Sequence, residues 1–154
     1  MNKCIIAIAG HGKQFQKIVE DNYRVKIADC DQMLQTVIEV LGWAGDKNKS
    51  YYDFYNQLFK MANKTFDFKN AYIDRAINEF NGDNQSDVLI IKGSNEIVES
   101  LEENDGVFCL FVAKNNDEVV DNSEKYYKVI LINESFENSV KDTIDILKKE
   151  NVKV

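Results

Sequence analysis

The beginning of this chain constrains its fold more than any other segment, because an apolar strand runs directly into closely spaced glycines. Residues 4–9 are continuously apolar, which is typical of a strand covered on both faces of a sheet. Gly10-His11-Gly12-Lys13 follows, and a polar segment compatible with a helix begins there. This order predicts a strand, a tight turn and a helix, which is the repeating unit of α/β folds.

The turn also carries the features of a phosphate-binding loop. Glycines allow backbone N–H groups to turn toward an anion, the helix N-terminus adds partial positive charge, and Lys13 adds a full charge. We expect the backbone N–H of His11 to face the anion and its side chain to point outward. Phosphate contacts are expected from five consecutive residues: Gly10, His11, Gly12, Lys13 and Gln14. A tight strand-to-helix turn with a surface lysine is the alternative interpretation.

The full phosphate-loop pattern is G-x-x-x-x-G-K-[ST], and the chain matches it only in part. Gly12 and Lys13 fit, whereas Ala7 stands at the position of the first glycine. Gln14 and then Phe15 follow the lysine, so neither position supplies the hydroxyl that would bind Mg²⁺. The motif therefore keeps groups that bind phosphate and lacks one that binds metal.

Composition limits the class of protein and its partners. The chain has 154 residues, of which 44% are hydrophobic, and we expect residues 1–154 to form one domain. A net charge of −7 argues against a general nucleic-acid-binding surface. No apolar run is long enough to span a membrane, and no signal peptide is recognisable. The three cysteines lack metal-binding spacing, which predicts reduced thiols and a cytoplasmic protein.

Apolar runs and helical spacing alternate along the chain. Strands are predicted at residues 4–9, 23–27, 88–91, 107–112 and 127–132. Helices are predicted at residues 13–21, 31–41, 51–64, 71–80, 95–103 and 136–149. Together they predict a three-layer α/β fold in which helices flank a parallel sheet. A helical insertion is expected over about 45–81, and a lid loop over 114–125.

Three blocks of sequence, in order along most of the chain, carry a resemblance to a known family. They are the opening strand with its glycine turn at 10–13, the segment Val88–Glu96, and the strand at 127–132 with the helix that follows. The chain resembles P-loop nucleoside and nucleotide kinases, most closely the bacteriophage-type deoxynucleoside monophosphate kinases. The resemblance implies a P-loop NTPase-like fold and a nucleotide or nucleoside monophosphate as ligand. It implies ATP and Mg²⁺ as the cofactors of any catalysis.

The resemblance also implies roles for individual residues. Lys13 would bind the donor phosphates, and Lys92 and Arg75 would meet the acceptor or the transferring group. Asp29 or Asp31 would assist at the acceptor. Those kinases carry an acidic residue and an arginine in the second block, where this chain has Ile90 and Lys92. The lost metal and charge contacts predict that transfer of the γ-phosphoryl group of ATP is weakened or lost.

Several alternatives stay open at this point. Asp29 or Asp31 could simply cap the following helix, and Arg75 could be solvated surface charge. The chain could be a non-catalytic interaction protein that keeps only the kinase-like fold, or a flavodoxin-like or receiver-like domain. A group of central aromatic residues could form a core, a base-stacking surface or a homodimer face: Trp43, Tyr51, Tyr52, Phe54, Tyr55 and Phe59.

Overall fold

The computed structural model of the chain describes residues 3–40, 64–101, 106–122 and 124–151. Strands and helices alternate through these ranges. In chain order they are β1 (Cys4–Gly10), α1 (Gly12–Asn22), β2 (Val25–Asp29), α2 (Cys30–Val40), α3 (Lys64–Gly82), β3 (Val88–Lys92), α4 (Asn95–Glu99), β4 (Val107–Ala113), α5 (Asn116–Asn122), β5 (Lys128–Leu131) and α6 (Phe136–Asn151). Within the described ranges no helix is long and apolar enough to cross a membrane.

The five strands form one all-parallel sheet in the order β2-β3-β1-β4-β5. The predicted parallel α/β sheet is therefore confirmed. Flavodoxin-like and receiver domains have the order 2-1-3-4-5 instead, so the structure removes that interpretation. β1 is the central strand, and the turn that follows it lies in the middle of the carboxyl edge of the sheet.

Helices cover both faces of this sheet. Because successive side chains of a strand point to opposite faces, β1 contributes Ile6 to one core and Ala7 to the other. α1 and α6 cover the face of Ile6, where the core includes Phe15, Val19, Phe136, Val140, Ile144 and Leu147. α2, α3 and α4 cover the opposite face, with Cys30, Ile73, Phe80, Ile97 and Val98 in the core.

The observed elements correct several of the predicted boundaries, among them the helix predicted at 95–103, which ends at Glu99. Residues 116–122 form the helix α5 within the segment that was predicted to be a loop over 114–125. Its start is fixed locally, because the N–H of Glu118 donates to Asn115 Oδ1 at 3.1 Å and the Glu118 carboxylate accepts the N–H of Lys114 at 2.8 Å. The helix predicted at 71–80 begins earlier, at Lys64. Most of the helix predicted at 51–64, and the aromatic residues between 43 and 59, lie outside the described residues.

Candidate functional site

A cleft opens at the carboxyl edge of the sheet beside the central strand. The chain leaves β1 toward the face covered by α1, whereas it leaves β3 toward the opposite face. Connections that depart to opposite faces open a crevice, and ligands of α/β proteins bind in such crevices. The cleft, called the main cleft below, has a volume of about 610 Å³, within the usual range for small-molecule sites. Its polar lining consists of Lys13, Asp29, Asp31, Gln32, Gln35 and Lys92.

The connection between β1 and α1 is shorter than the phosphate-loop pattern requires. β1 extends to Gly10 and α1 begins at Gly12, so His11 alone joins them. Ala7, which the pattern places at the first glycine, lies in the middle of β1, paired with Ile91 and Cys109. The strand therefore occupies positions that the pattern assigns to the loop, and a five-residue loop that encloses a phosphate does not form.

Close packing requires both glycines of the turn. Gly10 has a φ of +79°, and an added Cβ would lie 2.4 Å from the carbonyl oxygen of Val112. At Gly12 an added Cβ would lie 2.7 Å from Cγ2 of Ile8. The glycines thus let α1 begin directly against β1 and β4.

The backbone N–H groups of the turn differ in their availability. The His11 N–H donates to Val112 O at 3.0 Å, which corrects the expectation that it faces an anion. α1 begins at Gly12 without a side-chain cap from His11 and without an acidic residue in its first turn. Since the first N–H groups of a helix lack intrahelical acceptors, this helix end retains the positive pole of its dipole. The exposed side chain of Lys13 adds a full charge in the same turn.

A second cavity, of about 470 Å³, lies on the other side of the glycine turn. Gly10, Gly12 and Lys13 line both cavities, whereas His11 and Gln14 line only the second. The His11 side chain is half exposed, and its Nε2 lies 3.4 Å from Glu118 Oε1. The structure therefore divides the five predicted phosphate-binding residues between two cavities that share one turn.

Asp29 and Lys92 lie next to each other in the main cleft. They end β2 and β3 and are partners in the register of these parallel strands. Asp29 Oδ1 accepts the N–H of Gln32 at 3.0 Å, so the predicted capping of α2 is confirmed. Asp29 Oδ2 lies 3.8 Å from Lys92 Nζ. One carboxylate thus caps a helix and partly neutralises a lysine of the cleft.

Asp31 gives the cleft a carboxyl group that is costly to ionise. Much of the residue is exposed, but its carboxyl lies among protein atoms near Asp29, and this burial and like charge raise its pKa above the ordinary value. A hydrogen bond from the backbone N–H of Ser94 and the charge of Lys92 act in the opposite direction. The ionised form of Asp31 therefore works against folding.

We expect Asp31→Asn to stabilise the protein near neutral pH. A carboxyl whose pKa is raised by folding contributes stability below its unfolded pKa, and loses it as the pH rises through the folded pKa. The gain in melting temperature should therefore appear at neutral pH and vanish below the ordinary value of 3.8. Thermal unfolding at both pH values measures this difference.

Asp87→Asn is the matched control, because hydrogen bonds from Arg24 lower the pKa of Asp87. The loss of this carboxylate should destabilise the protein at neutral pH, and this effect should fade only as the pH falls further, through the folded pKa of Asp87, which lies below the ordinary value of 3.8. Equal responses of the two variants would contradict the account of the Asp31 environment.

The structure does not bring Arg75 to the main cleft. Its Nε lies 3.0 Å from Glu79 Oε1, and its side chain is 81% exposed. On α3, Ile73 and Ala76 face the sheet, so the helical phase directs Arg75 outward, along a separate surface depression shared with Lys26. The alternative of solvated surface charge describes Arg75 better than a phosphate contact.

Some residues that line the main cleft were not predicted as site residues from the sequence. Gln32 and Gln35 occupy the first turns of α2, next to Asp31, and place amide groups on one wall of the cleft. Their position directly after a strand end could have identified them. Gly93 also lines the cleft and was not predicted. An added Cβ there would lie 2.8 Å from Cγ2 of Ile97 and would push the turn after β3 outward.

The donor set does not fit a protein-held Mg²⁺ ion. Gln14 and Phe15 follow Lys13, and neither side chain contains a hydroxyl. Phe15 is also fully buried. Ile90, which stands where the kinases that the chain resembles carry an acidic residue, is also fully buried and lies in the core covered by α1 and α6. Among the described residues, no group of three or more His, Cys, Asp or Glu side chains could hold a metal ion. A metal at this site would depend on ligand phosphates for most of its oxygen atoms.

Sequence comparisons with known proteins assign no family to this chain. The sequence matches neither a protein-family model nor a curated protein.

Proposed function

We propose that this protein binds a nucleotide or nucleoside monophosphate in the main cleft, as a protein of P-loop kinase-like fold with a shortened loop and weakened or lost catalysis. The observation that carries the proposal is that one cleft contains the uncapped N-terminus of α1, Lys13 and Lys92. A helix N-terminus and two lysines form a favourable environment for a phosphate group. The all-parallel sheet, with the turn after its central strand, is compatible with a P-loop-type fold.

The cleft offers different chemistry to the two ends of such a ligand. The N–H groups at the start of α1 and the Lys13 ammonium would hold the phosphate. The opposite wall carries carboxylate and amide oxygens that accept hydrogen bonds from sugar hydroxyls or base amino groups: those of Asp29, Asp31, Gln32 and Gln35. Lys92 lies between these two regions, where it can also contact phosphate.

The same residues support binding better than phosphoryl transfer. Transfer requires several positive groups around the moving phosphoryl group, and arginine is the residue that supplies a bidentate contact. None of the described residues lining the main cleft is an arginine, and Lys92 is partly neutralised by Asp29. Mg²⁺ with ATP would supply further positive charge at the phosphates when bound. The described residues of the cleft supply only part of the positive charge that stabilises the transition state of phosphoryl transfer.

Lys13→Ala tests the proposal through affinity. We expect the dissociation constant for a nucleoside monophosphate to rise about tenfold, which corresponds to ~1.4 kcal/mol, because the charge in the first turn of α1 is lost. Isothermal titration calorimetry measures this constant. Lys17→Ala is the matched control, since Lys17 is an exposed lysine one turn later on the same helix and lines neither cavity. Equal affinities of the two variants would contradict the assignment of Lys13.

A non-catalytic interaction protein is the second candidate function. The Lys92–Asp29 pair favours it, because a cleft that neutralises its own lysine has less charge to offer a phosphate. Sedimentation equilibrium would detect the homodimer that this candidate allows. A dimer together with no nucleotide binding would favour it over the first proposal.

A further inference from the structure

The Lys92–Asp29 ion pair has an unusually loose geometry inside the main cleft. Its Nζ–Oδ2 distance of 3.8 Å allows electrostatic attraction but is too long for a hydrogen bond. By contrast, Lys26 of β2 forms an ion pair of 3.1 Å with Glu79, and this pair lies outside the main cleft. About 30% of each side chain of the loose pair is exposed, so a ligand in the cleft can reach it.

The two members of this pair differ in their freedom to move. Asp29 is held by its second oxygen, which accepts the Gln32 N–H at the start of α2. Lys92 carries its charge on a flexible stem of four carbons and also interacts electrostatically with Asp31. The lysine is therefore the partner that can turn toward another anion while Asp29 remains in place.

From this geometry, and resting on the proposed function, we infer that Asp29 is an internal counter-ion that competes with the ligand phosphate for Lys92. Binding then exchanges one anionic partner of Lys92 for another, and no covalent bond is made or broken. Asp29 keeps its hydrogen bond to α2, and its freed oxygen faces the part of the cleft next to the phosphate. The affinity for phosphate is accordingly set by Asp29 as well as by the lysines.

Asp29→Asn isolates this effect, because asparagine also caps helices and removes only the charge. Inorganic phosphate and adenosine monophosphate serve as probes in calorimetric titrations of the full chain. We expect the variant to bind both about threefold more tightly, or better, than the wild type, a change in the range of exposed ion-pair energies. Glu79→Gln is the matched control: it removes one negative charge from the Lys26 pair and should leave both affinities unchanged.

A second arm tests whether Lys92 is the competing partner. Lys92→Met should weaken phosphate binding more in the Asp29→Asn background than in the wild type, because the lysine is then released from Asp29. Equal losses in the two backgrounds would overturn the inference. Thermal unfolding of each variant verifies that the fold is retained.

The outcomes separate this inference from the proposed function. If the wild type binds phosphate and Asp29→Asn binds it equally well or more weakly, the counter-ion role is overturned and the proposed phosphate binding stands. Tighter binding by Glu79→Gln as well would also overturn it, because net charge alone would explain the gain. The absence of binding by both wild type and Asp29→Asn would contradict the proposed function and the inference together. Binding by the variant alone would support the inference.

Discussion

Gly10→Ala is expected to lower the free energy of unfolding by about 4 kcal/mol, the sum of backbone strain and overpacking. The residue has a φ of +79°, which side-chain-bearing residues rarely adopt, and its added Cβ would lie 2.4 Å from Val112 O. That oxygen belongs to β4 and accepts the His11 N–H, so it cannot retreat without disturbing the central strands. Urea unfolding measures the loss.

Gly106→Ala is the matched control for this substitution. Its φ of +84° imposes similar backbone strain, but among the described residues nothing lies within 4 Å of an added Cβ. We expect a loss of only about 1–2 kcal/mol, the strain alone. If both variants lose the same stability, the close approach of Gly10 to Val112 is not what demands a glycine.

Phe15→Ala is expected to cost about 3–5 kcal/mol, because it leaves a large cavity in a close-packed core. Phe15 is fully buried and joins the core between α1, α6 and the sheet. It lies two residues after Lys13, so its packing also fixes the position of the helix end that we propose binds phosphate. We therefore expect urea unfolding to show the loss of stability and calorimetry to show weaker nucleotide binding.

Phe15→Leu separates packing from the presence of an aromatic ring. Leucine retains most of the apolar contact, and we expect it to cost about 1.5 kcal/mol. An alanine variant no less stable than the leucine variant would show that Phe15 does not anchor α1 to the sheet.

The strands were predictable because their physical signature is local. Buried parallel strands are continuous apolar runs, and four of the five were located within about one residue of their observed bounds. β2 was predicted to begin two residues too early, because Tyr23 fits the pattern of a strand but precedes the observed strand. Arg24 there pairs with Asp87 through two side-chain hydrogen bonds of 3.1 Å, a contact between distant residues that local periodicity does not show. α5 was missed because capping, rather than an apolar stripe, defines its start.

The site was predictable where residues follow strand ends. Lys13, Asp29 and Lys92 come together because the carboxyl ends of β1, β2 and β3 meet at one edge of the sheet. Arg75 lies within a helix, and its direction depends on the phase of α3 against the sheet, which charge alone does not reveal. The turn was predicted to span residues 10–12, between the strand at 4–9 and the helix at 13–21, whereas β1 extends to Gly10 and α1 begins at Gly12.

The central claim is that a phosphate-bearing ligand binds at the start of α1, and an NMR titration of the backbone amides tests it most directly. On addition of a nucleoside monophosphate, we expect saturable shifts of the Gly12, Lys13 and Gln14 amides, accompanied by shifts at Lys92 and Gly93 in the same cleft. The absence of shifts at saturating ligand, or shifts confined to residues outside the main cleft, would contradict it.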